Sequence, residues 1–568
     1  MKSKFFAWSI LLYCASVRGQ LPSAPTEPPE PLRGSLVIGG GGALPESVAQ
    51  AFVKLAGGDS GRIVLIPTAS ETADKDDPKT VLAAWAKRTK ATLHVLHTRD
   101  RAKANEPEFA RPLHEATGVW LGGGDQTKLA VAYRGTLIDK ELHELLKRGG
   151  VIGGTSAGAA VMSQLMIASG PIVPKLGAGF GFLPGVVVDQ HFLKRNRVNR
   201  LIDVLSKHPG WAGLGIDEKS AVVVQGRSLT VVGESYALIC QAAGHDRPAS
   251  CQVLQPGERA DLVAVCRNAL ARTQPQFPAA KPPAPNVKQG TLVIGGGGAL
   301  PDDVYHRFLA AAGGPGTRIA FIPTALDKPT GPDPGEFKRL QKLGAKNVFI
   351  FHATSRAEAD DPAFVAQLKD AGGIWFTGGR QWRFVDAYQG TKTEAAMHAV
   401  LARGGAIGGT SAGASIQADY MVRGDPLGNT VMMAEGYERG LGFIQGVAID
   451  QHFTQRKRQP DMELVMSRFP QLLGIGLDEG TAIVVRGSIA EVVGKSKVAV
   501  YDTSRPRTTG VIEHEVLTPG NRYGHGSKPG NNHVCVWSVG ALWPSRPISS
   551  SQRVINPMVA ERNHDYTD

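Results

Sequence analysis

Cysteine is scarce in this chain, with five in 568 residues. Cys14 lies in an N-terminal apolar run, and Cys240, Cys251, Cys266 and Cys535 lack the paired short spacing of a zinc site. No histidine cluster supplies the missing ligands, so the reading contains neither a metal nor a cofactor. Long apolar runs are missing too. Past residue 19 no segment reaches about 18 unbroken apolar residues, which excludes a spanning helix. Acidic residues are outnumbered, 51 against 63 basic, for a net charge of +12. That balance invites nucleic acid, but there is no long Lys/Arg block and no aromatic–basic interleaving, so we assign no nucleic-acid partner. An anionic polymer or a carboxylate-rich ligand fits the charge equally well. The spaced Gly-x-Gly-x-x-Gly of a dinucleotide loop is absent: Gly39 to Gly42 is an unbroken glycine run, with no clear acidic residue after the next strand to hold a ribose.

Glycine (69) and proline (37) are abundant and concentrate at turns and linkers. Residues 1–19 carry lysines at 2 and 4, an apolar run from Phe5 to Val17 and a possible cleavage site at Val17-Arg18-Gly19. This pattern predicts a signal peptide, a secreted or periplasmic protein, and no membrane association after cleavage. A lipid anchor on Cys14 is disfavoured because bulky Tyr13 sits where a small residue is required. In an oxidising compartment two of the clustered Cys240, Cys251 and Cys266 would bridge; the spacing leaves the pair open.

Residues 20–33 are proline-rich and read as a linker. The chain then repeats itself. Val37 to Pro45 returns as Val293 to Pro301, and Arg62 to Ala69 returns as Arg318 to Ala325, at an offset of 256. The offset is 255 at Gly153-Gly154-Thr155-Ser156-Ala157-Gly158-Ala159, which recurs letter for letter from Gly408 to Ala414, and 261 beyond it. The predicted organisation is repeat 1 over 34–266, a Pro/Ala/Gln-rich linker over 267–289, repeat 2 over 290–521 and an irregular tail over 522–568. Short apolar runs near 35–38, 63–66, 93–96, 118–121 and 151–153 alternate with helical patterns over 45–55, 79–87 and 137–147. Unbroken apolar strands separated by helices imply α/β domains, each with a mainly parallel sheet covered on both faces. Sites in such folds form at the carboxyl ends of the strands, where the Gly-rich turns at 39–42, 122–124 and 153–154 fall.

A Gly-x-Ser-x-Gly between strand and helix is a nucleophile elbow, and Ser156 and Ser411 are the candidate nucleophiles. A serine needs a base and a group that orients the base. His191 follows Ser156 by 35 residues and His452 follows Ser411 by 41; Glu218 and Glu479 follow their histidines by 27 in both copies. The shared interval marks the histidines as candidate bases and the glutamates as orienting acids. Backbone N–H groups at Gly124, Asp125 and Ala157, and at Gly379, Arg380 and Ala412, are candidates for an oxyanion hole. Arg195, Arg197 and Arg200 in one copy, with Arg456 and Arg458 in the other, suggest a substrate rich in carboxylates, because guanidinium forks grip carboxylates at two points.

Gly-Gly-Thr-Ser-Ala-Gly-Ala, Gly-Gly-Asp-Gln, Asp-Gln-His-Phe with its trailing arginines, and Gly-Ile-Asp-Glu together resemble the cyanophycinase branch of the serine peptidases that includes aspartyl dipeptidase. The resemblance covers nearly all of both repeats. It implies flavodoxin-like domains related to class I glutamine amidotransferases and a Ser, His, Glu triad in that chain order. The implied activity is hydrolysis of cyanophycin, an arginyl-poly-aspartate, to β-Asp-Arg dipeptides. The implied substrate-binding residues are Gln126, Asp189, Gln190, Arg195, Arg197 and Arg200, and in the second copy Gln381, Asp450, Gln451, Arg456 and Arg458. Family members are single domains that dimerise, so the tandem is expected to be an intramolecular pseudo-dimer with pseudo-two-fold symmetry. Arg380 in place of Asp125, and Asp461 in place of Arg200, predict altered specificity or weaker activity in the second copy. The alternatives are a peptidase or isopeptidase for short aspartyl peptides, and a non-catalytic binder of an acidic polymer.

Overall fold

The computed structural model describes residues 21–328, 335–503, 514–524 and 534–535. The expected signal peptide and most of the tail beyond 524 lie outside the described residues. In repeat 1 the strands run β1 (Leu32–Gly39), β2 (Arg62–Ile66), β3 (Thr92–Val95), β4 (Gly118–Leu121), β5 (Val151–Thr155), β6 (Leu165–Ser169) and β7 (Lys175–Ala178). They continue with β8 (Val186–Gln190), β9 (Ala212–Ile216), β10 (Ser220–Gly226), β11 (Ser228–Gly233), β12 (Ala237–Gln241), β13 (Ser250–Leu254) and β14 (Arg259–Asp261). The main sheet has the order β14-β11-β10-β1-β5-β4-β2-β3. Its β3-β2-β4-β5-β1 half is parallel, and β10, β11 and β14 add an antiparallel edge. Repeat 2 reproduces this sheet around the parallel strands Arg318–Ile322, Ala371–Phe376, Ala406–Thr410 and Val287–Gly295. Each repeat is therefore an α/β domain with a mainly parallel sheet, as the alternation of apolar runs and helices implies, and flavodoxin-like, as the resemblance implies.

The unbroken apolar strands serve two cores at once. Leu36 and Ile38 of β1, with Val64 and Ile66 of β2, face one helical layer. Val37, Ile63 and Leu65 face the other, against Phe52 and Trp120. Successive side chains of a strand point to opposite faces, so a strand covered on both sides needs apolar residues at every position. Each repeat also carries a smaller second sheet, β13-β12-β9-β8 in repeat 1, in which β8 and β9 are parallel. That sheet positions His191, the candidate base.

Several boundaries move. A helix spans Leu262–Ala271, across the division drawn at 266/267, because its buried face (Leu262, Val263, Cys266, Arg267, Ala269) continues through it. Strand Val287–Gly295 begins inside the supposed linker, and β1 begins inside residues 20–33. Arg522–Gly524 pairs with Ile489–Gly494 as β14 pairs with β11, so the start of the tail belongs to repeat 2. Cys240 and Cys251 lie opposite one another on β12 and β13 and form the disulfide, while Cys266 is buried and free.

The repeats meet through charged contacts, most of them from arginines of repeat 1 to carboxylates of repeat 2; Arg356 of repeat 2 reaches back to Glu27 at 3.6 Å. Arg227 and Arg267 of repeat 1 both bind Asp386 of repeat 2, each at 2.8 Å. Arg247 and Arg272 bind Glu435, and Arg247 also binds Glu438 at 2.7 Å. Arg227 additionally stacks on Trp382, 4.1 Å from the ring centroid. A two-fold arrangement requires the reverse contact between the counterparts of Arg227 and Asp386, which are Ser488 and Val131. Neither is charged; Val131 is 50% exposed, as is Ile489 beside Ser488 at 44%. The ion pairs on Asp386 therefore have no charged two-fold counterpart: this contact joins unlike side chains. Asp386→Ala leaves two guanidinium groups without their shared carboxylate, and we expect a loss of about 2–3 kcal/mol in stability, measurable by denaturant unfolding.

Candidate active site

Strand β5 ends at Thr155 and a helix begins at Ala157, so Ser156 makes the turn alone, at φ 51° and ψ −109°. Ser411 adopts φ 54° and ψ −114° between the corresponding strand and helix. A non-glycine residue in such a conformation carries about 1–3 kcal/mol of strain and persists only where its surroundings fix it. The fixing contacts are explicit. Consecutive carbonyls of the glycine run take the N–H groups of three separate segments: Gly39 O from Ser156 at 3.0 Å, Gly40 O from His191 at 2.6 Å and Gly41 O from Lys219 at 3.0 Å. Repeat 2 repeats the set with Gly295 O, Gly296 O and Gly297 O bound by Ser411, His452 and Gly480 at 3.0, 2.7 and 2.9 Å.

The side chains close accordingly. Ser156 Oγ lies 2.9 Å from His191 Nε2, and His191 Nδ1 lies 2.6 Å from Glu218 Oε1. In repeat 2 the distances are 2.8 Å for Ser411 to His452 and 2.6 Å for His452 to Glu479. A carboxylate only accepts, so Nδ1 carries the proton and Nε2 is left to accept from the serine hydroxyl. The shared interval of 27 has a structural cause. Parallel β8 and β9 pair Gln190 with Ile216, so His191 and Glu218 emerge side by side at the same sheet end, joined by the helix Val198–Lys207.

The glycine run, expected at the site end of the sheet, has a role there that its sequence did not reveal. A Cβ on Gly41 (φ +108°) would stand 2.3 Å from His191 Cε1, and one on Gly42 (φ +71°) would stand 3.1 Å from Glu218 Oε2. Gly297 and Gly298 approach His452 and Glu479 in the same way. The signal was in the sequence as a tetraglycine at a strand end; only its target was invisible.

Of the oxyanion candidates, Ala157 and Gly124, like Ala412 and Gly379, have N–H groups with no acceptor among the described residues. Asp125 and Arg380 are corrected: their N–H groups are spent on Ala69 O and Ala325 O at 2.9 Å each. Gly123 and Gly378 stand nearer, since a Cβ on them would lie 3.6 and 3.4 Å from the Cβ atoms of Ser156 and Ser411.

With these sites in view, the family comparison is decisive: the description peptidase family S51 matches residues 36–232 and, separately, 291–493. The chain belongs to peptidase family S51. Among curated relatives, the cyanophycinase of Geminocystis herdmanii is 34% identical over 220 residues, covering 37% of this chain and 80% of that protein. The cyanophycinase of Thermosynechococcus vestitus is 39% identical over 154 residues, covering 26% of this chain and 48% of that protein. A solved peptidase from an acI-B1 Actinobacterium is 24% identical, covering 41% of this chain and 98% of that one, at a TM-score of 0.33. The S51 chain is a serine-type peptidase.

Around the base of this peptidase, most of the expected substrate-binding set is paired internally. Gln126 donates to Ile167 O and Ala168 O, and Gln381 to Val422 O and Arg423 O. Asp189 is buried under Arg197 and Arg200, and Arg197 also donates to Gln190 O at 2.7 Å. Asp450 is buried under Arg458, which donates to Gln451 O at 2.7 Å. Only Arg195 and Arg456 of that set project as exposed side chains. The reading of the trailing arginines as one substrate-gripping group is therefore refined: Arg197, Arg200 and Arg458 hold the Asp-Gln-His segment, and Arg195 and Arg456 stand open beside it.

Burial holds the His191 and His452 pKa values below the ordinary histidine value; Glu218 and Glu479 oppose that shift, and Arg195 and Arg456 add to it. A general base works unprotonated, and lowering its pKa keeps it unprotonated to lower pH. We expect the acid limb of the kcat/KM profile below pH ~6.5, and a move upward in Arg195→Ala with Ser411→Ala silencing the other site. Gly41→Ala should push His191 off the serine, with activity at that site falling about 100-fold or more in steady-state assays of the same background.

Proposed function

We propose that this peptidase hydrolyses cyanophycin, and that both repeats do so through Ser-His-Glu triads. The observation that carries the reading is the pair of closed relays, each with an exposed arginine next to the base. Ser156 Oγ attacks the carbonyl carbon as its proton passes to His191 Nε2, and Glu218 steadies the resulting imidazolium. The oxyanion forms against the N–H groups of Ala157 and the Gly123–Gly124 turn. Collapse breaks the peptide C–N bond, His191 protonates the leaving amine, and water admitted by the same base releases the acyl group. Ser411, His452, Glu479 and the N–H groups of Ala412, Gly378 and Gly379 carry the same steps in repeat 2.

The substrate class follows from Arg195 and Arg456, which offer forked donors to carboxylates, together with cyanophycinase relatives. β-Asp-Arg is the product proposed, in an exopeptidase mode. Export is part of the proposal, supported by the N-terminal apolar run and by the Cys240–Cys251 bridge, which persists in an oxidising compartment.

Mass spectrometry after incubation with cyanophycin tests this. We expect β-Asp-Arg from the unmutated chain and from Ser156→Ala or Ser411→Ala alone, and none from the double variant. Turnover of short aspartyl peptides with cyanophycin left intact would transfer the assignment to a dipeptidase; no turnover of either would sink the peptidase mechanism.

A further inference from the structure

The two sites solve one problem with differently placed arginines. In repeat 1, Arg200 lies on the helix after His191 and grips Asp189, with Nε at 3.0 Å, while its Nη1 donates to Gly170 O at 2.6 Å. The helix of repeat 2 has Asp461 at that position. Without that arginine Asp450, which is fully buried and precedes His452 by two residues, keeps Arg458 at 2.8 Å but lacks the second guanidinium that Asp189 has. A buried carboxylate deprived of a partner is costly, so something must replace it.

The replacement comes from another element. Arg423 Nε lies 3.1 and 3.2 Å from the two Asp450 oxygens and its Nη2 lies 3.0 Å from Oδ2. The same Nη2 donates to Asp461 at 2.6 Å, and Nη1 donates to Asn429 O at 2.8 Å. The counterpart of Arg423 is Ala168, because Gln126 and Gln381 donate to the carbonyls of these two residues, each at 2.8 Å. Ala168 lies in β6, whereas Arg423 sits at φ +58°. Of the non-glycine residues at positive φ, the serines, the histidines, and Asn196 with Lys457 recur in both repeats; Arg423 has no such partner. A long side chain in this conformation signals a backbone held by its contacts, here two carboxylates and a carbonyl.

We propose that Arg423 is the positioning residue of the second site: it takes over from Arg200, and with Asp461 it forms a relocated carboxylate clamp that holds Asp450-Gln451-His452 in register with Ser411. This rests on Ser411 being a nucleophile, as proposed above. Asp461 thus belongs to the new clamp, and its presence is compatible with a working second site.

The test follows the rate of fluorophosphonate labelling at Ser156 and Ser411 in the same full-length chain, read by peptide mass spectrometry, with Ser156 as the internal folding control. Arg423→Ala should slow labelling at Ser411 about 30-fold or more and leave Ser156 within about two-fold. Adding Asp461→Arg rebuilds the repeat 1 arrangement and should restore Ser411 to within about five-fold of the unmutated chain. In the Ser156→Ala background, cyanophycin turnover should show the same loss in kcat with KM moved less than about three-fold. Unchanged labelling in Arg423→Ala overturns the proposal, as does a double variant no faster than the single one. If Arg423→Ala slows Ser156 as well, the double variant decides by the same criterion. No labelling of Ser411 in the unmutated chain also overturns it, whereas cyanophycin turnover dependent on Ser156 would leave the function proposed for the first site standing.

Discussion

Three hydrogen bonds to three consecutive glycine carbonyls organise each half of this molecule. The turn after β1, like its counterpart in repeat 2, receives the backbone of the serine, of the histidine and of the residue following the glutamate, so segments as distant in sequence as Gly41 and Lys219, or Gly297 and Gly480, meet on one rigid loop. Each bond is worth about 1 kcal/mol by itself. Their collective effect is positional: they hold the serine and histidine at positive φ and bring their side chains into hydrogen-bonding range. The glycines are needed because the loop runs against the imidazole and the carboxylate, where no Cβ fits.

The second sheet explains why the base is so well placed. His191 and Glu218 share the ends of adjacent parallel strands, and the phenylalanine after the histidine packs where Gly215 leaves room for its ring. Repeat 2 does the same with Phe453 and Gly476. The histidine's aim is therefore set by strand pairing and ring packing together, beneath which a buried aspartate and its guanidinium partners complete the support. Because this support is ionic, its components can change position provided the charge is matched.

Duplication has let the halves diverge in just that way. The segment after Met421 in repeat 2 supplies Arg423 to the site, accepts Arg380 at Asp425 O and Gly428 O, and presents Glu435 and Glu438 to repeat 1. Its counterpart in repeat 1 is the short β6–β7 hairpin, where Ile172 and Val173 are exposed. One segment thus contacts both the Asp450-Gln451-His452 strand end and the other repeat, an arrangement that the β6–β7 hairpin does not reproduce.

The sequence by itself determined the duplication, the parallel α/β architecture and the six serine, histidine and glutamate positions that come together, because those depend on local patterns: period, turn glycines, and motifs that recur at matching intervals. Tertiary structure decided what the motifs touch. It turned the tetraglycine into the seat of the serine, histidine and glutamate, spent the N–H groups of Asp125 and Arg380, paired Cys240 with Cys251, and gave Asp386 two arginine partners from the other repeat. It also brought Arg423 to Asp450 from 27 residues away. Hydrogen-bond partners and ion pairs are made between segments whose separation in sequence carries no record of their separation in space, so spacing could name the reacting groups but not the groups that hold them.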